Sequence, residues 1–322
     1  MAAPEFLLEG RGLTVTYGNG VRAVSDVDLT VRHGEIVGLV GESGCGKSSL
    51  ANTVLRMVKP QSGTLSFNGK DLLAMHGDEL KAVRRSLQVV PQDPSTSLNP
   101  RLTIAQSVEF NLKVHGWGRR ERRARVMEML DRVGIPASYS TRYPHQLSGG
   151  QLQRVAIARA LVTDPSLVVC DEAVSALDKS VQAQILNLLA QLQRDLDVAF
   201  LFVSHDLTVV EHVSDRVLVM YLGRIVEEGP ATEILTAPRH PYTQALLASI
   251  PTRGQQRAAI HGEPPSPVNP PSGCGFRTRC PYAVDACAGY DNTPHAVGPD
   301  HAARCVRLDD LALTAPQAWR NS

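Results

Sequence analysis

A glycine-rich stretch near the N-terminus has the residue types and the spacing of a phosphate-binding loop. The segment GLVGESGCGKSS, residues 38–49, fits G-x-x-x-x-G-K-[S/T] and lies between an apolar strand pattern and a helix pattern. Glycines let successive N–H groups surround a phosphate, the lysine reaches the β- and γ-oxygens, and the hydroxyl can ligate Mg²⁺. We therefore expect contacts to the phosphates of a nucleotide from the residues of this loop: Gly41, Ser43, Gly44, Cys45, Gly46, Lys47, Ser48 and Ser49.

Two adjacent acids follow a second apolar strand pattern. In SLVVCDE, residues 166–172, four apolar residues end at Asp171, which places its carboxylate at the carboxyl edge of a parallel sheet, beside the phosphate loop. A Mg²⁺ partner belongs at that edge, so Asp171 and Ser48 are the candidate magnesium ligands. Glu172 is the candidate general base that orients and deprotonates an attacking water.

A second glycine-rich helix start, LSGGQLQRVAIARAL at residues 147–161, is a second candidate anion site. Exposed N–H groups and the positive end of the helix dipole favour an anion there. The alternative is that Ser148 only caps the helix. One triphosphate needs only one such loop, so the pattern raises the question of which molecule supplies the second anion.

Bulk composition describes an ordinary globular chain. The 322 residues have 33 Lys plus Arg against 32 Asp plus Glu, a net charge of +1, which offers no basis for nucleic-acid or anionic-membrane binding. No apolar run approaches the roughly 20 residues that span a bilayer. The start MAAPEFLLEGRG has neither a basic nor an apolar leader region, so we expect no signal peptide.

The elements that must position these groups alternate in type. Strand patterns at GLTVTY, AVSDVDLTV and EIVGLV precede a helix over 47–58, and strands follow at 86–91, 166–170 and 198–204. Residues 92–160 read as helices, with Gly134 stopping one of them. The pattern predicts an α/β fold: a P-loop NTPase core with a β-rich N-terminal subdomain, a helical insertion and a small Cys-rich C-terminal extension. We place the nucleotide-binding domain at 1–230 and the extension at 231–322.

The order of these motifs resembles the ATPase subunits of ABC transporters. The P-loop, Gln92 in VVPQDP, LSGGQ at 147–151, CDEAVSALD and His205 in FVSHD occur in that family's order over roughly residues 5–230. The resemblance implies ATP hydrolysis with Mg²⁺ and a head-to-tail pair of ATPase subunits. The family usually has Pro-Thr where this chain has Ala173-Val174, and neither residue carries the chemistry.

The resemblance also implies roles for individual residues. Ser148, Gly149, Gly150 and Gln151 would bind the ATP held by the partner's P-loop, and Asp178 would lie in the loop that crosses the dimer. Tyr17 would stack on adenine. Gln92 would contact Mg²⁺ or the attacking water, and His205 the γ-phosphate.

Two further stretches are similar to the peptide and nickel importer branch of that family: PSTSLNPR at 94–101 and RHPYTQALLASIP at 239–251. This likeness implies a second ATPase subunit in a heterodimer, two permeases, an extracytoplasmic solute-binding protein and a place on the cytoplasmic face of a bacterial membrane. Peptide import is the first expectation and import of nickel or another small solute the second. A soluble ABC ATPase is the remaining alternative.

Four cysteines crowd the extension with the spacing C-x5-C-x6-C-x17-C: Cys274, Cys280, Cys287 and Cys305. No close C-x₂₋₄-C pair of the kind common in zinc sites is present. Thiolates in such a segment could hold a [4Fe–4S] cluster, as the resemblance to peptide-importer ATPases with a similar tail also implies; zinc, no ligand and disulfides are the alternatives. His295 and His301 lie nearby as substitute ligands but are expected at the surface. Cys45 lies at a helix start, where thiolate character rises, but we expect it to serve as a small side chain in the loop and not in a redox role.

Overall fold

The computed structural model describes residues 4–18, 20–249, 260 and 262–315. In chain order, the strands are β1 Leu8–Thr16, β2 Arg22–Val31, β3 Ile36–Val40, β4 Ser62–Phe67, β5 Lys70–Asp71, β6 Leu87–Val90, β7 Leu167–Asp171, β8 Ala199–Ser204, β9 Arg216–Tyr221, β10 Arg224–Pro230, β11 His295–Gly298 and β12 His301–Ala303. The helices are α1 Lys47–Val54, α2 Gly77–Ser86, α3 Pro94–Ser97, α4 Ile104–Val114, α5 Arg119–Arg132, α6 Gly149–Leu161, α7 Lys179–Leu196, α8 Leu207–Val213, α9 Ala231–Thr236 and α10 Pro241–Ala248.

The chain divides into two compact units, each made of segments that are discontinuous in sequence. The first comprises Met1–Leu8, Val31–Ile36 and Ser66–Val203. The second comprises Glu9–Thr30, Val37–Leu65 and Ser204–Ser322. The second unit therefore contains both the glycine loop and the described part of the cysteine-rich extension.

The first unit holds three parallel strands and most of the helices. β7 lies between β6 and β8, with Val90 opposite Cys170 and Cys170 opposite Phe202. All six residues of β8 are buried, as are the first four of β7, which explains their unbroken apolar runs. Residues 94–161 form α3 to α6, so the helical insertion lies where the sequence predicts it.

Local signals explain where the insertion's helices begin and end. α4 and α6 both start at capping boxes, Thr103 with Gln106 and Ser148 with Gln151. α5 ends at Arg132, and Gly134 follows at φ 72°, as its predicted stop requires. The four apolar residues that predict this helix are all buried (Val126, Met129, Leu130 and Val133).

The second unit combines a β-rich part with a mixed sheet. β1 lies between β2 and β4, and β1 and β2 form an N-terminal hairpin at two of the predicted strand patterns. In the mixed sheet, β3 runs parallel to β9, which pairs antiparallel with β10. The extension then adds β12 to β10, with Glu227 opposite Ala303, and β11 to β12. The fold-class prediction, α/β with a β-rich subdomain, is confirmed.

Several element predictions need correction. α1 ends at Val54 rather than residue 58, because Arg56 adopts φ 56° and the Met57 N–H returns to the Asn52 carbonyl at 2.8 Å, which closes the helix. Strands β9 and β10 and helix α8 are also not predicted from the sequence, although β9 is fully buried. The short elements without strong apolar periodicity are missed as well, namely β4, β5, α2, β11 and β12. The tail motif 239–251 is helical through Ala248, and its last two residues lie outside the described part of the chain.

No helix in the described residues is both long enough and apolar enough to cross a bilayer.

Candidate functional site

The glycine loop follows β3 and turns directly into α1. Gly41, Gly44 and Gly46 have φ values of 154°, 79° and 111°, in the region that L side chains rarely adopt. A Cβ at Gly41 would overlap the backbone oxygen of Met220, and one at Gly46 would overlap that of Ala23. The loop therefore needs glycine at these two positions for space as well as for conformation.

Lys47 is buried at the first position of α1, with its ammonium group turned back into the loop. Its Nζ donates to the carbonyl oxygens of Gly41 at 2.8 Å and Glu42 at 3.0 Å. This geometry places a positive charge inside the curve of the loop, where a phosphate would otherwise face only neutral N–H groups. Ser43, Gly44 and Ser48 are exposed and can reach a ligand.

Cys45 is a buried thiol, in agreement with the expectation of a small side chain in the loop. Burial raises its pKa above the ordinary value, and the nearby Lys47 ammonium only partly offsets that effect. The helix start is therefore not enough to make this cysteine reactive, and it serves as a small side chain within the loop.

Tyr17 follows β1 and keeps 41% of its surface exposed. Its hydroxyl donates to the Ser49 hydroxyl at 3.1 Å, which places an aromatic ring next to the first turn of α1. An exposed ring at this place can stack on a base. His205, also in the second unit, is exposed directly after β8, and Asp206 caps α8 by accepting from the Thr208 N–H.

In the first unit, the residues that follow strands β6 and β7 come into contact. Gln92 and Glu172 follow the neighbouring parallel strands β6 and β7, and the Gln92 amide donates to the Glu172 carboxylate at 3.0 Å. Glu172 has φ 48°, and its N–H donates to Val203 at 2.9 Å. Asp171, the last residue of β7, is half-buried. The structure thus brings a carboxylate and an amide together at one sheet edge, an arrangement suited to holding a water or a divalent cation.

The LSGGQ segment starts α6 and is open to solvent. Ser148 accepts from the Gln151 N–H at 3.4 Å and Gln151 Oε1 accepts from the Ser148 N–H at 3.0 Å, so Ser148 does cap this helix. Ser148 and Gly149 are nevertheless exposed. A Cβ at Gly150 would press on the Val181 side chain of α7, so this glycine is needed for the approach of the two helices.

Asp178 is the exposed N-cap of α7, and its Oδ1 accepts from the Val181 N–H at 2.9 Å. Ala173 and Val174 lie earlier in the same loop, at the positions where the family usually has Pro-Thr, and both are buried. The departure therefore concerns packing of the loop between β7 and α7, not an exposed binding surface.

The four tail cysteines converge on a single small cavity, together with His240 and Phe276. The Cys274 N–H donates to the Cys287 carbonyl at 2.9 Å, and burial raises the pKa of Cys274 to about 11. Among the described residues, no three His, Cys, Asp or Glu side chains form a group that could hold one metal ion. This finding supports neither the predicted [4Fe–4S] cluster nor the zinc alternative.

Neither candidate histidine lines the cysteine cavity. His295 is exposed on β11 and stacks on Tyr290. His301 is buried rather than at the surface, with Nε2 2.9 Å from the Glu227 carboxylate. Glu227 also accepts the backbone N–H groups of Arg239 and His240 at 2.7 and 2.9 Å, so His301 belongs to a structural hydrogen-bond network.

Sequence reasoning missed three residues at the glycine loop: Glu42 within it, and Tyr242 and Arg279, which contact it. The Tyr242 hydroxyl accepts the Glu42 N–H at 2.9 Å, and the Arg279 guanidinium contacts the Glu42 carboxylate with both terminal nitrogens. The only signal in the sequence is an acid inside an anion-binding loop, since such a charge needs a compensating partner.

Comparison with known proteins identifies the class. A family model described as "ABC transporter" matches residues 24–175. A solved structure of cbiO1 from Clostridium perfringens, part of the ABC transporter complex cbiONQ, is 30% identical with a TM-score of 0.67, covering 72% of this chain and 91% of that one. MJ0796, a bacterial ABC transporter cassette, has been solved as a dimer in a post-hydrolysis state with ADP and Pi. That structure is 31% identical with a TM-score of 0.63, and the match covers 70% of this chain and 98% of the MJ0796 chain. The chain is an ABC-type ATPase.

The branch follows from a second model and from curated relatives. The model "Oligopeptide/dipeptide transporter, C-terminal region" matches residues 226–287. The oligopeptide transport ATP-binding protein OppF of Salmonella typhimurium is 47% identical over 300 residues, 90% of this chain and 89% of the relative. The probable peptide ABC transporter ATP-binding protein y4tS of Sinorhizobium fredii is 52% identical over 272 residues, which are 83% of this chain and 77% of the relative. The chain belongs to the oligopeptide/dipeptide branch of ABC transporter ATP-binding proteins.

The position of Glu172 generates a direct test. We expect Glu172→Gln to reduce ATP turnover at least ~100-fold while ATP still binds, because the amide keeps the size and the hydrogen bond to Gln92 but cannot accept the proton of an attacking water. Steady-state phosphate release and a nucleotide-binding titration measure the two quantities. Glu79→Gln on the exposed helix α2 is the control. Unchanged turnover in Glu172→Gln would refute the assignment of the base.

Proposed function

We propose that this chain binds and hydrolyses ATP to power the uptake of peptides through separate permease subunits. The observation that carries the proposal is the combination of the glycine loop geometry with a C-terminal region that matches the oligopeptide/dipeptide transporter model. The OppF relatives, which align over most of this chain, are named for oligopeptide transport, and this likeness supports peptides over nickel. Import of nickel or another small solute remains the second candidate.

The proposal gives each site residue a task. The loop from Gly41 to Ser49 holds the triphosphate, Lys47 neutralises its charge, and Tyr17 stacks on adenine. Mg²⁺ would be held by Ser48, Gln92 and Asp171 together with phosphate oxygens, since Mg²⁺ usually takes few protein ligands. Glu172 would deprotonate the attacking water, and His205 would contact the γ-phosphate. The hydrogen bond from Gln92 to Glu172 supports a shared place for cation and water.

We further propose that each ATP lies between two ATPase subunits. Ser148, Gly149, Gly150 and Gln151 would contact the γ-phosphate held by the partner, with Asp178 in the adjoining loop. The exposure of Ser148 and Gly149 at a helix N-terminus supports this role, and the related MJ0796 cassette was solved as a dimer. Neutral donors facing a γ-phosphate form charge-assisted hydrogen bonds, which are lost when that phosphate leaves. The second subunit is proposed to be a different chain.

The remaining partners follow from the branch. We propose two permease subunits, an extracytoplasmic solute-binding protein and a peripheral place on the cytoplasmic face of the cell membrane. A domain division at residue 230 goes with this assembly: residues 1–230 as the nucleotide-binding domain and 231–322 as the importer-type extension. The match of the C-terminal model to residues 226–287 supports that division.

Reconstitution tests the substrate class. In proteoliposomes containing the permeases, both ATPase subunits and the binding protein, we expect peptides to stimulate ATP hydrolysis several-fold, because a transported ligand that binds one state of the assembly preferentially shifts the assembly toward that state. Di- and oligopeptides are compared with Ni²⁺ and with binding protein alone. Stimulation by Ni²⁺ and not by peptides would transfer the assignment to the second candidate; stimulation by neither would contradict both.

The signature loop can be tested against plain capping. Ser148→Ala and Thr103→Ala each remove the side chain of a capping box, and each should cost roughly 1 kcal/mol of stability. Only Ser148→Ala should weaken ATP-dependent association with the second ATPase subunit, at least tenfold. Association is measured by analytical ultracentrifugation with ATP, in the Glu172→Gln background that prevents turnover. Equal behaviour of the two variants would mean that Ser148 does no more than cap α6.

We also propose that Cys274, Cys280, Cys287 and Cys305 hold a [4Fe–4S] cluster with a structural role. Their convergence on one cavity supports this, because a cluster needs its cysteine ligands close to one another. In the part of the chain that the structure describes, the cysteine-bearing segment has only a small apolar cluster of its own, formed by Ala303, Cys305 and Leu308, so a bound iron–sulfur cluster would add to its folding free energy.

Metal analysis of anaerobically purified chain tests the cluster. We expect about four iron and four sulfide per chain, and loss of both in Cys287→Ser. Cys170→Ala, which changes a buried cysteine in β7, should keep the iron. One zinc per chain would favour the alternative ligand, and neither metal would contradict the proposal.

A further inference from the structure

The C-terminal extension makes a direct ion pair with the glycine loop. Arg279 lies between Cys274 and Cys280 in the chain, and its two terminal nitrogens contact the Glu42 carboxylate at 2.7 and 3.1 Å. Only 4% of the Arg279 side chain and 25% of the Glu42 side chain are exposed. Both residues lie in the second unit. A two-pronged pair with so little water around it restricts orientation as well as neutralising charge.

A second contact from the extension holds the backbone of the same loop residue. The Tyr242 hydroxyl accepts the Glu42 N–H at 2.9 Å, and Tyr242 on α10 is completely buried. Tyr242 packs with Tyr221 and Phe276 in an aromatic triad, with ring centroids 4.5 to 5.3 Å apart. The Arg279 guanidinium lies over two of these rings and contacts the Tyr221 hydroxyl at 3.3 Å. Rigid packing therefore fixes both groups that contact Glu42.

Glu42 adds a negative charge to a loop that binds a negatively charged triphosphate. A carboxylate within a phosphate-binding loop repels the negative charge of a bound triphosphate, and the repulsion is stronger where water is excluded. The Glu42 carbonyl also accepts from Lys47 Nζ at 3.0 Å, so the position of Glu42 determines where the lysine charge lies. A partner that neutralises Glu42 and fixes its backbone therefore favours both the charge and the shape that phosphate needs.

We propose that Arg279 and Tyr242 are positioning residues for nucleotide binding, through which the C-terminal extension holds the glycine loop in its phosphate-binding form and cancels the charge of Glu42. The extension then contributes directly to the affinity of the nucleotide site. The inference rests on the proposed role of the loop in holding ATP.

The test compares two arginines of the same segment in the full-length chain. Arg279→Met removes the pair with Glu42 and keeps an apolar stem against the aromatic rings. Arg277→Met is the matched control, because Arg277 donates to Ser272, inside the extension. We expect Arg279→Met to raise the Kd for ATP about tenfold and the control to leave it within twofold. Kd is measured by titration with a fluorescent ATP analogue and unlabelled competitors.

Two further readouts separate positioning from general loss of structure. The effect should be larger for ATP than for AMP, since the uncompensated Glu42 charge acts on the phosphates; a merely loosened fold would weaken both equally. Glu42→Gln added to Arg279→Met should restore most of the ATP affinity by removing that charge. Arg279→Lys, which keeps the charge and loses the two-pronged contact, should fall between wild type and Arg279→Met.

The outcomes are separable. Lys47→Ala must abolish ATP binding if the loop holds the triphosphate; if it does not, the proposed function fails whatever Arg279 does. If Lys47→Ala abolishes binding and Arg279→Met resembles Arg277→Met, only the positioning role of the extension fails. If Arg279→Met does not fold, the Tyr242→Phe variant tests the inference, because it removes only the hydroxyl that accepts the Glu42 N–H. We expect this variant to weaken ATP binding several-fold, and an unchanged Kd for ATP would overturn the inference.

Discussion

The shape of the glycine loop is the constraint on which the rest of the second unit depends. Gly41 and Gly46 adopt backbone angles that leave no room for a Cβ, because the backbone oxygens of Met220 and Ala23 lie directly against them. Those oxygens belong to β9 and β2, so the loop is formed against the strands of its own unit. A phosphate-binding curve of N–H groups is costly in backbone entropy, and close strand contacts supply the compensation.

Two residues that cap helices are also proposed to contact nucleotide or to lie beside it. Ser148 and Asp178 each cap a helix, and each keeps an exposed polar group at that helix start. A cap places side-chain oxygen and backbone N–H groups in a defined position before any ligand arrives, which lowers the entropic cost of binding. A residue can therefore cap a helix and also contact a ligand. The capping box at Ser148 fixes the position of the groups that are proposed to contact an anion.

Sequence alone predicts those features that depend on local pattern. The α/β fold, the helical insertion, the Gly134 stop and the glycine loop all follow from periodicity and spacing within short windows. The predicted end of α1 is wrong because the left-handed Arg56 has no strong local signal. At Cys45, burial raises the pKa of the thiol despite the helix start, which agrees with the small side chain predicted there. The pair between Glu42 and Arg279 joins residues 237 positions apart, and no local pattern indicates such a contact.

That long-range pair bears on why an extension with four cysteines accompanies an ATPase. Cys274 and Cys280 enclose the turn that carries Phe276 and Arg279, so whatever holds the two thiols also restricts the guanidinium. Under the two proposals, ligation of the cysteines and binding of ATP both stabilise one conformation of the same segment. Thermodynamic linkage then requires the effect to be reciprocal: ligand at the cysteines strengthens nucleotide binding by the same factor by which nucleotide strengthens retention of that ligand. An acid inside a phosphate loop is thus understandable, because it makes ATP affinity depend on an intact extension.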